Sequence, residues 1–378
     1  LMIFLLLFPV MTYAAEEEEE LVNVEEIVEE IEQASSTSVD TPEINSRAAI
    51  VIERNSQIPI YEKNSNERRK MASTTKIMTA IIVVEKGNLE ETVTVSKKAG
   101  GTGGSRLGLK AGDKVKVKDL LYGLMLCSGN DAAVALAEHI GGSVENFAEL
   151  MNQKAKELNL KDTHFVTPHG LDAEEHYTTA YELAIITNYA LNIPEIANIV
   201  KTQTCTVWIN GYIKEIRNTN ELLGYLDGVY GVKTGFTNGA NRCLVTAAKR
   251  GDLDIICVVL GADTKKYRTK DSIQLIEYAF QNYETIPIEE AITETFAYWK
   301  AQNEKRIMIT KGLQDYPELM LEKVPYKIYP LKKGQKDKIK VEIENEEILE
   351  APVPEKYEIG KMKITIEGKE LFQVKCWS

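Results

Sequence analysis

The apolar residues of this chain change their spacing along the sequence, and these changes limit the folds that it can adopt. Strand-like apolar runs separated by turn residues occur at residues 48–64 and again at 204–262, whereas most of the intervening sequence has helical spacing. Sheets and helices bury their apolar faces against each other. We therefore predict one α+β domain over residues 43–283, in which early and late strands share a sheet and helices pack on its faces.

Turn residues place the connections within this domain. Polar residues around Asn55 and Ser56 predict one hairpin, and Asn210-Gly211 and Gly251-Asp252 predict two more. Gly87 ends the first long helical segment.

The pattern changes again after residue 283. Short strands with alternating apolar and charged residues follow one another, with frequent lysine and glutamate. Residues 284–378 are therefore predicted to form a separate small all-β domain.

The first residues are typical of an exported protein. Residues 1–10 are apolar but too few to span a bilayer, and Ala14 and Ala15 precede a run of five glutamates. We interpret residues 1–15 as a signal peptide and residues 16–42 as a disordered acidic linker. The expected location is outside the cytoplasm.

Charge and cysteine content exclude several classes of function. The net charge of −12 argues against general nucleic-acid binding, which requires a basic surface. The five cysteines form no C-x-x-C pair, and the four histidines show no metal-binding spacing. We predict neither a metal nor a cofactor.

A Ser-x-x-Lys pattern lies at the start of the first long helical segment. Ser73 and Lys76 are three residues apart, so on a helix they share a face and the amine can reach the hydroxyl. A serine needs a base to become a good nucleophile, and a lysine is suitable if burial and nearby positive charge lower its pKa. An ordinary helix start with a lysine one turn later would give the same pattern.

Ser128-Gly129-Asn130 forms a polar break between two helical segments. On a tight turn, Ser128 could relay a proton and Asn130 could bind a backbone amide of a substrate. Because Asp131 follows, the same residues are also typical of a helix N-cap.

Lys233-Thr234-Gly235 lies in the predicted strand GVKTGFT. Gly235 would let another chain lie close to the strand, and Lys233 with nearby threonine hydroxyls suits a substrate carboxylate. A turn with an exposed lysine is the alternative.

Together, the three motifs resemble the S-x-x-K, S-D-N and K-T-G signature of penicillin-binding proteins and class A β-lactamases, with S-G-N as the middle element. From about Glu43 to its end, the chain is similar to the low-molecular-mass penicillin-binding D-alanyl-D-alanine carboxypeptidases, especially Gram-positive and sporulation-associated members. The stretches that carry this similarity include RKMASTTKIMTA, FVTPHGLDAEEHYTTAYELA and GVKTGFTNGANRCLV.

The resemblance implies a β-lactamase-type catalytic domain, an antiparallel sheet with helices on both faces, followed by a small all-β domain. It also implies removal of the terminal D-alanine from peptidoglycan stem peptides, with β-lactams as inhibitors. Ser73 would be the acyl-ester nucleophile, Lys76 the proton acceptor and Ser128 the proton relay. The backbone N–H groups of Ser73 and Phe236 would form the oxyanion hole. The substrate would be bound by Asn130, Lys233, Thr234, Gly235, Phe236 and Thr237.

Some features depart from the family pattern. Cys127 replaces a proline or small residue, Tyr230 an aspartate and Asn241 a glycine. Family members usually end in a membrane-anchoring helix, so association with the outer face of the cytoplasmic membrane is a further expectation.

Two rival functions are considered. A class A β-lactamase carries a deacylating glutamate, commonly in E-x-x-L-N, and this chain has no such string. Glu174 and Glu175 are expected to face solvent. A non-catalytic penicillin sensor would be expected to lack the serine or the lysine. His169 and His176 are predicted to be structural, because the Ser–Lys pair already supplies a base.

Overall fold

The computed structural model describes residues 22–35 and 41–378, so the predicted signal peptide and part of the predicted linker lie outside it. In chain order, its helices are α1 (Val24–Ser35), α2 (Lys76–Lys86), α3 (Lys97–Gly100), α4 (Val117–Met125), α5 (Asn130–Gly141), α6 (Val144–Glu157), α7 (Ala180–Leu191), α8 (Pro194–Val200), α9 (Lys265–Asn282) and α10 (Ile288–Asn303). Its strands are β1 (Ala48–Glu53), β2 (Pro59–Lys63), β3 (Thr92–Thr94), β4 (Lys114–Lys116), β5 (Thr204–Ile209), β6 (Tyr212–Arg217), β7 (Val229–Thr237), β8 (Asn241–Arg250), β9 (Leu253–Ala262), β10 (Tyr283–Ile286), β11 (Met308–Thr310), β12 (Met320–Leu321), β13 (Tyr329–Lys332), β14 (Ile339–Asn345), β15 (Ile348–Glu350), β16 (Glu358–Ile366) and β17 (Lys369–Trp377).

The central sheet has the strand order β2-β1-β9-β8-β7, and all neighbouring strands are antiparallel. All ten residues of β9 are buried, which explains its continuous apolar sequence. The predicted sharing of one sheet by early and late strands is confirmed.

The two faces of this sheet belong to different cores. Ile50 and Val258 pack into the larger core with α2, α4, α5 and α7, whereas Val51 and Cys257 point to the opposite face, beneath α9. Since successive strand residues point to opposite faces, apolar residues at every position are buried only if both faces are covered. Helices on both faces, as predicted, provide that cover.

A second sheet of order β3-β4-β5-β6 lies beside the helical region. Its β5–β6 hairpin turns at Asn210 and Gly211, whose φ angles of 52° and 81° are the positive values that a type I′ turn requires. Lys214 of β6 donates to the carbonyl of Leu107 (2.5 Å), which ties the hairpin to the segment before α4.

The prediction of disorder over residues 16–42 is wrong for residues 24–35, which form α1. Val24, Ile27 and Ile31 have helical spacing and are buried in the core beneath α9. Glu30 also contacts the ammonium groups of Lys266 (3.6 Å) and Lys270 (3.4 Å). The sequence contains this apolar stripe, but its partner α9 lies far along the chain.

The C-terminal region contains a helix that the prediction of an all-β domain omitted. Within α10, Ile288, Ile292 and Phe296 are buried in a separate core. The remaining sequence is rich in strands, and its largest sheet has the order β12-β17-β16-β14. The apolar residues of α10 have helical spacing. The strand-like sequence around them led to a prediction of strands alone.

In the described part of the chain, no single helix is long and apolar enough to cross a membrane. The pair α7 and α8 reaches that length and composition together, with a bend of 107° between them.

Candidate active site

The predicted serine and lysine meet at the start of α2. Ser73 lies in a short 3-10 turn, Ala72–Thr75, that leads directly into the helix. The Nζ atom of Lys76 lies 2.8 Å from Ser73 Oγ, 2.7 Å from Asn130 Oδ1 and 2.8 Å from the carbonyl oxygen of His169. The Lys76 side chain is fully buried.

The Nζ atom of Lys76 donates to all three oxygens, as an ammonium does, and the same geometry also accommodates the neutral amine. The oxygens of Asn130 and His169 only accept hydrogen bonds, so they use the two N–H groups of a neutral lysine. In that neutral form the remaining lone pair would face the Ser73 hydroxyl, 2.8 Å away, and could take its proton. The orientation of Asn130 is determined by its Nδ2 atom, which donates to the carbonyl of Gly103 (2.8 Å).

Burial is the main cause that moves the pKa of Lys76 well below its ordinary value, and the charge of Lys233 is the second. Lys233 is itself buried, and burial lowers its pKa to about 7. Its Nζ atom donates to the carbonyl of Thr234 (3.2 Å). The site therefore contains two buried lysines, and the charge of Lys233 disfavours that of Lys76.

Two residues in or next to the site motifs have strained backbone conformations. Ala72 and Ser128 have φ angles of 49° and 59°, which are uncommon for residues other than glycine. Ser128 is buried, and its Oγ atom has no hydrogen-bond partner among the described residues. Its hydroxyl is therefore uncommitted, as a group that relays a proton should be.

Strand β7 lies directly against the nucleophile turn. A Cβ atom on Gly235 would lie 3.1 Å from the Ser73 nitrogen and 3.1 Å from the Met71 carbonyl oxygen. The close approach expected from the glycine is therefore present. Because β7 is an edge strand, one side of its backbone faces away from the sheet, where an extended substrate could add as a further strand.

The other predicted substrate-binding residues lie along β7. The Thr234 hydroxyl is 2.7 Å from the hydroxyl of Thr219. Phe236 is partly exposed, and the Arg242 guanidinium stacks on its ring at 3.7 Å.

Thr237 is already committed within the protein. Its hydroxyl donates to Asp172 Oδ1 (2.8 Å) and accepts from the Ala240 nitrogen (3.0 Å). The second Asp172 oxygen accepts from the Gly239 nitrogen (2.9 Å). A direct bond from the Thr237 hydroxyl to substrate, as predicted, would require this contact to break, so the structure favours a bridging role between β7 and the loop at Asp172.

The two histidines have hydrogen-bonded positions beside the site. The Val166 nitrogen donates to His176 Nδ1 (2.9 Å), and His176 Nε2 lies 2.8 Å from the Thr75 hydroxyl. Burial lowers the pKa of His176 to about 4 and that of His169 to about 3, so both are neutral near pH 7. This agrees with a structural role for the rings, although His169 also supplies a carbonyl to Lys76.

Two buried residues that shape the site were not predicted. Asp131 accepts hydrogen bonds from the nitrogens of Leu107, Gly108 and Leu109 at 2.8–2.9 Å, and so holds the segment before α4. Arg268 pairs with Glu221, and its charge contributes to the lowered pKa of Lys233. The importance of Asp131 could have been inferred from its position directly after the S-G-N motif. No sequence pattern pointed to Arg268.

The three glutamates at residues 174–182 are either exposed or engaged within the protein. Glu174 and Glu175 are exposed, as expected. Glu182 is buried, but its oxygens accept from the Lys161 nitrogen (2.7 Å) and the Thr163 hydroxyl (2.5 Å). Within the described residues, no group of three or more histidine, cysteine or acidic side chains could hold a metal ion.

Comparison with known proteins agrees with this geometry. The family model described as D-alanyl-D-alanine carboxypeptidase matches residues 35–264, more than half of the chain. The model of the C-terminal domain of penicillin-binding protein 5 matches residues 321–378.

Curated relatives carry the same description. D-alanyl-D-alanine carboxypeptidase DacF of Bacillus subtilis (strain 168) is 37% identical over 337 residues, which cover 86% of this chain and 82% of that protein. DacC of Escherichia coli (strain K12) is 39% identical over 276 residues, covering 69% and 68%.

Solved structures show the same fold. Penicillin-binding protein 5 from Haemophilus influenzae superimposes with a TM-score of 0.75 at 30% identity, covering 90% of this chain and 98% of that one. The Streptomyces K15 DD-transpeptidase gives a TM-score of 0.62 at 35% identity, covering 64% and 99%. These matches confirm the resemblance and the fold class, and the chain belongs to the D-alanyl-D-alanine carboxypeptidase family of serine peptidases.

Proposed function

We propose that this carboxypeptidase removes the terminal D-alanine of peptidoglycan stem peptides through an acyl-enzyme on Ser73. The observation that carries the assignment is the contact between Ser73 Oγ and the buried amine of Lys76, whose other two contacts are pure acceptors. Neutral Lys76 takes the hydroxyl proton while Ser73 Oγ attacks the carbonyl carbon of the penultimate residue.

The oxyanion that forms in this step is held by the backbone N–H groups of Ser73 and Phe236. Support comes from the 3.1 Å approach of a Gly235 Cβ position to the Ser73 nitrogen, which brings β7 and the nucleophile turn together. Preorganised N–H donors in a dry site stabilise such a charge strongly.

Ser128 passes the proton from Lys76 to the leaving D-alanine amine. Its buried, uncommitted hydroxyl supports this role. Lys233 and Thr234 bind the terminal carboxylate, and Asn130 both orients Lys76 and faces the substrate backbone. Water then hydrolyses the ester, with Lys76 again as base.

β-Lactams also acylate Ser73, and the reaction then stops at the resulting ester. The substrate is a cell-wall polymer, so we place the reaction on the outer side of the cytoplasmic membrane. Attachment of the enzyme to that membrane is the finer expectation from the family, and it is tested separately by fractionating cells that express the full natural gene.

The decisive experiment compares wild type with Ser73→Ala. Wild type should release D-alanine repeatedly from a diacylated L-Lys-D-Ala-D-Ala peptide and be labelled by a fluorescent penicillin. The variant should lose both activities and keep its unfolding temperature. Labelling that survives in the variant would show that the nucleophile is another residue.

Intact-mass spectrometry after a penicillin pulse separates this function from a β-lactamase. In this part of the chain, Glu182 is engaged by Lys161 and Thr163, and Glu174 and Glu175 are exposed to solvent. We expect a penicilloyl adduct that persists for minutes or longer. Rapid return to the unmodified mass, with many equivalents of penicillin hydrolysed, would identify a β-lactamase instead.

A further inference from the structure

A pocket with a strongly positive lining lies beside the catalytic cleft. It has a volume of about 520 Å³ and contains the side chains of Lys97, Arg106 and Lys110. Glycine, alanine and leucine form the rest of the wall, and no carboxylate lines it. We call this site the basic pocket. In a chain with a net charge of −12, three cations around one cavity indicate a binding site for an anion.

The guanidinium of Arg106 is held in a fixed position. Its NH2 group donates to the carbonyls of Gly100 and Leu109. The nearest carboxylate is Asp131, 3.8 Å from Arg106 Nε, and its oxygens already accept from three backbone nitrogens. Since these contacts leave part of the guanidinium edge available, Arg106 offers a preorganised charged donor.

The two lysines are uncommitted. Neither the Lys97 nor the Lys110 ammonium has an ion-pair or hydrogen-bond partner within the described residues. The Lys214 ammonium lies next to the lining residue Gly108, where a Cβ would be 2.9 Å from its Nζ atom, and it donates to the Leu107 carbonyl. Because Gly108 has no side chain, this wall of the pocket stays open.

The basic pocket and the catalytic centre share one loop. Between Gly101 and Arg106, the carbonyls of Gly103 and Ser105 accept from the side chain and the backbone nitrogen of Asn130, both at 2.8 Å. Asn130 in turn contacts Lys76, and Lys76 contacts Ser73. Since Ser105 directly precedes Arg106 and an extended peptide advances about 3.3–3.6 Å per residue, a substrate can pass from the catalytic centre to the basic pocket within a few residues.

We propose that the basic pocket is a subsite for a carboxylate of the stem peptide, located two or three residues before the scissile bond. This inference rests on the proposed function and extends it. The enzyme binds the anionic part of its substrate as well as the terminal D-Ala-D-Ala. A carboxylate matches the planar fork of Arg106, and the two lysines supply long-range attraction.

The test uses two peptides that end in D-Ala-D-Ala and differ at one group. One carries a γ-linked D-glutamate with a free α-carboxylate two residues before the first D-alanine, and the other carries the α-carboxamide. Wild type should have a kcat/KM roughly five- to tenfold higher for the carboxylate peptide. This preference should shrink as salt is raised.

Lys97→Ala/Lys110→Ala should remove the preference and leave kcat/KM for the carboxamide peptide within about twofold. Arg106→Gln, which keeps hydrogen-bond donors for the two carbonyls, should reduce it as well. The charge-matched control is Lys86→Ala/Lys156→Ala, two exposed lysines outside the pocket, which should keep the preference. Penicillin labelling confirms that each variant is folded.

The outcomes separate the two proposals. Equal kcat/KM values for both peptides in wild type, or a preference that persists in Lys97→Ala/Lys110→Ala, would overturn the subsite alone. Release of D-alanine from neither peptide would overturn the proposed function. Inhibition by a soluble polyphosphate without discrimination between the peptides would assign the pocket to another polyanion and also refute the subsite.

Discussion

At the scale of single residues, the proposed mechanism depends on two buried lysines that need opposite protonation states. Lys76 must be neutral to take a proton, whereas Lys233 must be charged to bind a carboxylate. Burial lowers the pKa of both, to about 7 for Lys233 and well below the ordinary value for Lys76, and the charge of Lys233 lowers the pKa of Lys76 further. A substrate carboxylate against Lys233 would favour its charged form in the complex.

Lys76→Arg should be almost inactive. An arginine stays protonated at every accessible pH and cannot accept the Ser73 proton, so we expect the acylation rate to fall by about 10²–10⁴-fold. Stopped-flow labelling with fluorescent penicillin measures this rate. Lys156→Arg, at an exposed site, is the control and should match wild type; an active Lys76→Arg enzyme would contradict the base assignment.

The pH profile of kcat/KM should have two limbs. Activity should rise as pH increases through the lowered pKa of Lys76, because its neutral form is the base. It should fall as pH increases through about 7, where free Lys233 loses its charge. Lys233→Arg should remove the alkaline limb, since arginine stays charged. An alkaline limb that is unchanged in this variant would mean that another group titrates there.

At the scale of elements, the site is held where β7, the nucleophile turn and the loop at residues 167–172 touch. Gly235 lets β7 approach the turn, and a Cβ on Gly170 would overlap the Ala72 carbonyl oxygen. Asp172 connects this loop to the end of β7 through hydrogen bonds with Thr237 and Gly239. The three elements therefore set the distance between the nucleophile and the proposed oxyanion donors.

Gly235→Ala tests this distance. The new Cβ would meet the Ser73 nitrogen and the Met71 carbonyl at 3.1 Å, which forces β7 to move by a few tenths of an ångström. We expect acylation to slow by about tenfold or more, because small displacements at reacting atoms are costly. The unfolding temperature, measured by calorimetry, should fall by only a few degrees. Unchanged acylation would show that the close approach has no catalytic importance.

At the scale of the whole molecule, the central sheet separates chemistry from stabilisation. The face that carries α2 and α5 forms the site, whereas the opposite face packs beneath α9 and receives α1. Contacts on that second face should therefore affect stability more than catalysis.

Ile27→Ala in α1 should lower the free energy of unfolding by about 2 kcal/mol, or less if α1 detaches alone, and leave kcat/KM unchanged. The reason is the loss of a fully buried side chain on the face opposite Ser73. Denaturant unfolding measures the change. Glu29→Ala, on the exposed side of α1, is the control. A loss of activity in Ile27→Ala at temperatures where the protein remains folded would refute this separation.

Much of the architecture followed from local pattern. Gly251-Asp252 predicted the hairpin of β8 and β9, and Asn210-Gly211 predicted another because few other residue pairs adopt two positive φ angles. Neither α1 nor α10 was predicted, since a short apolar stripe becomes a stable helix only when a partner surface is available.

By itself, the sequence determined the family, because three short motifs carry its signature, and these motifs led to the proposal of Ser73, Lys76, Ser128 and Lys233 as the reacting groups. Only the tertiary structure decided their state. The pKa of Lys76 is lowered by burial and by the charge of Lys233, and the Thr237 hydroxyl is engaged by Asp172. Hydrogen-bond partners and the exclusion of water arise from residues far apart in the chain, so local sequence patterns contain no record of them.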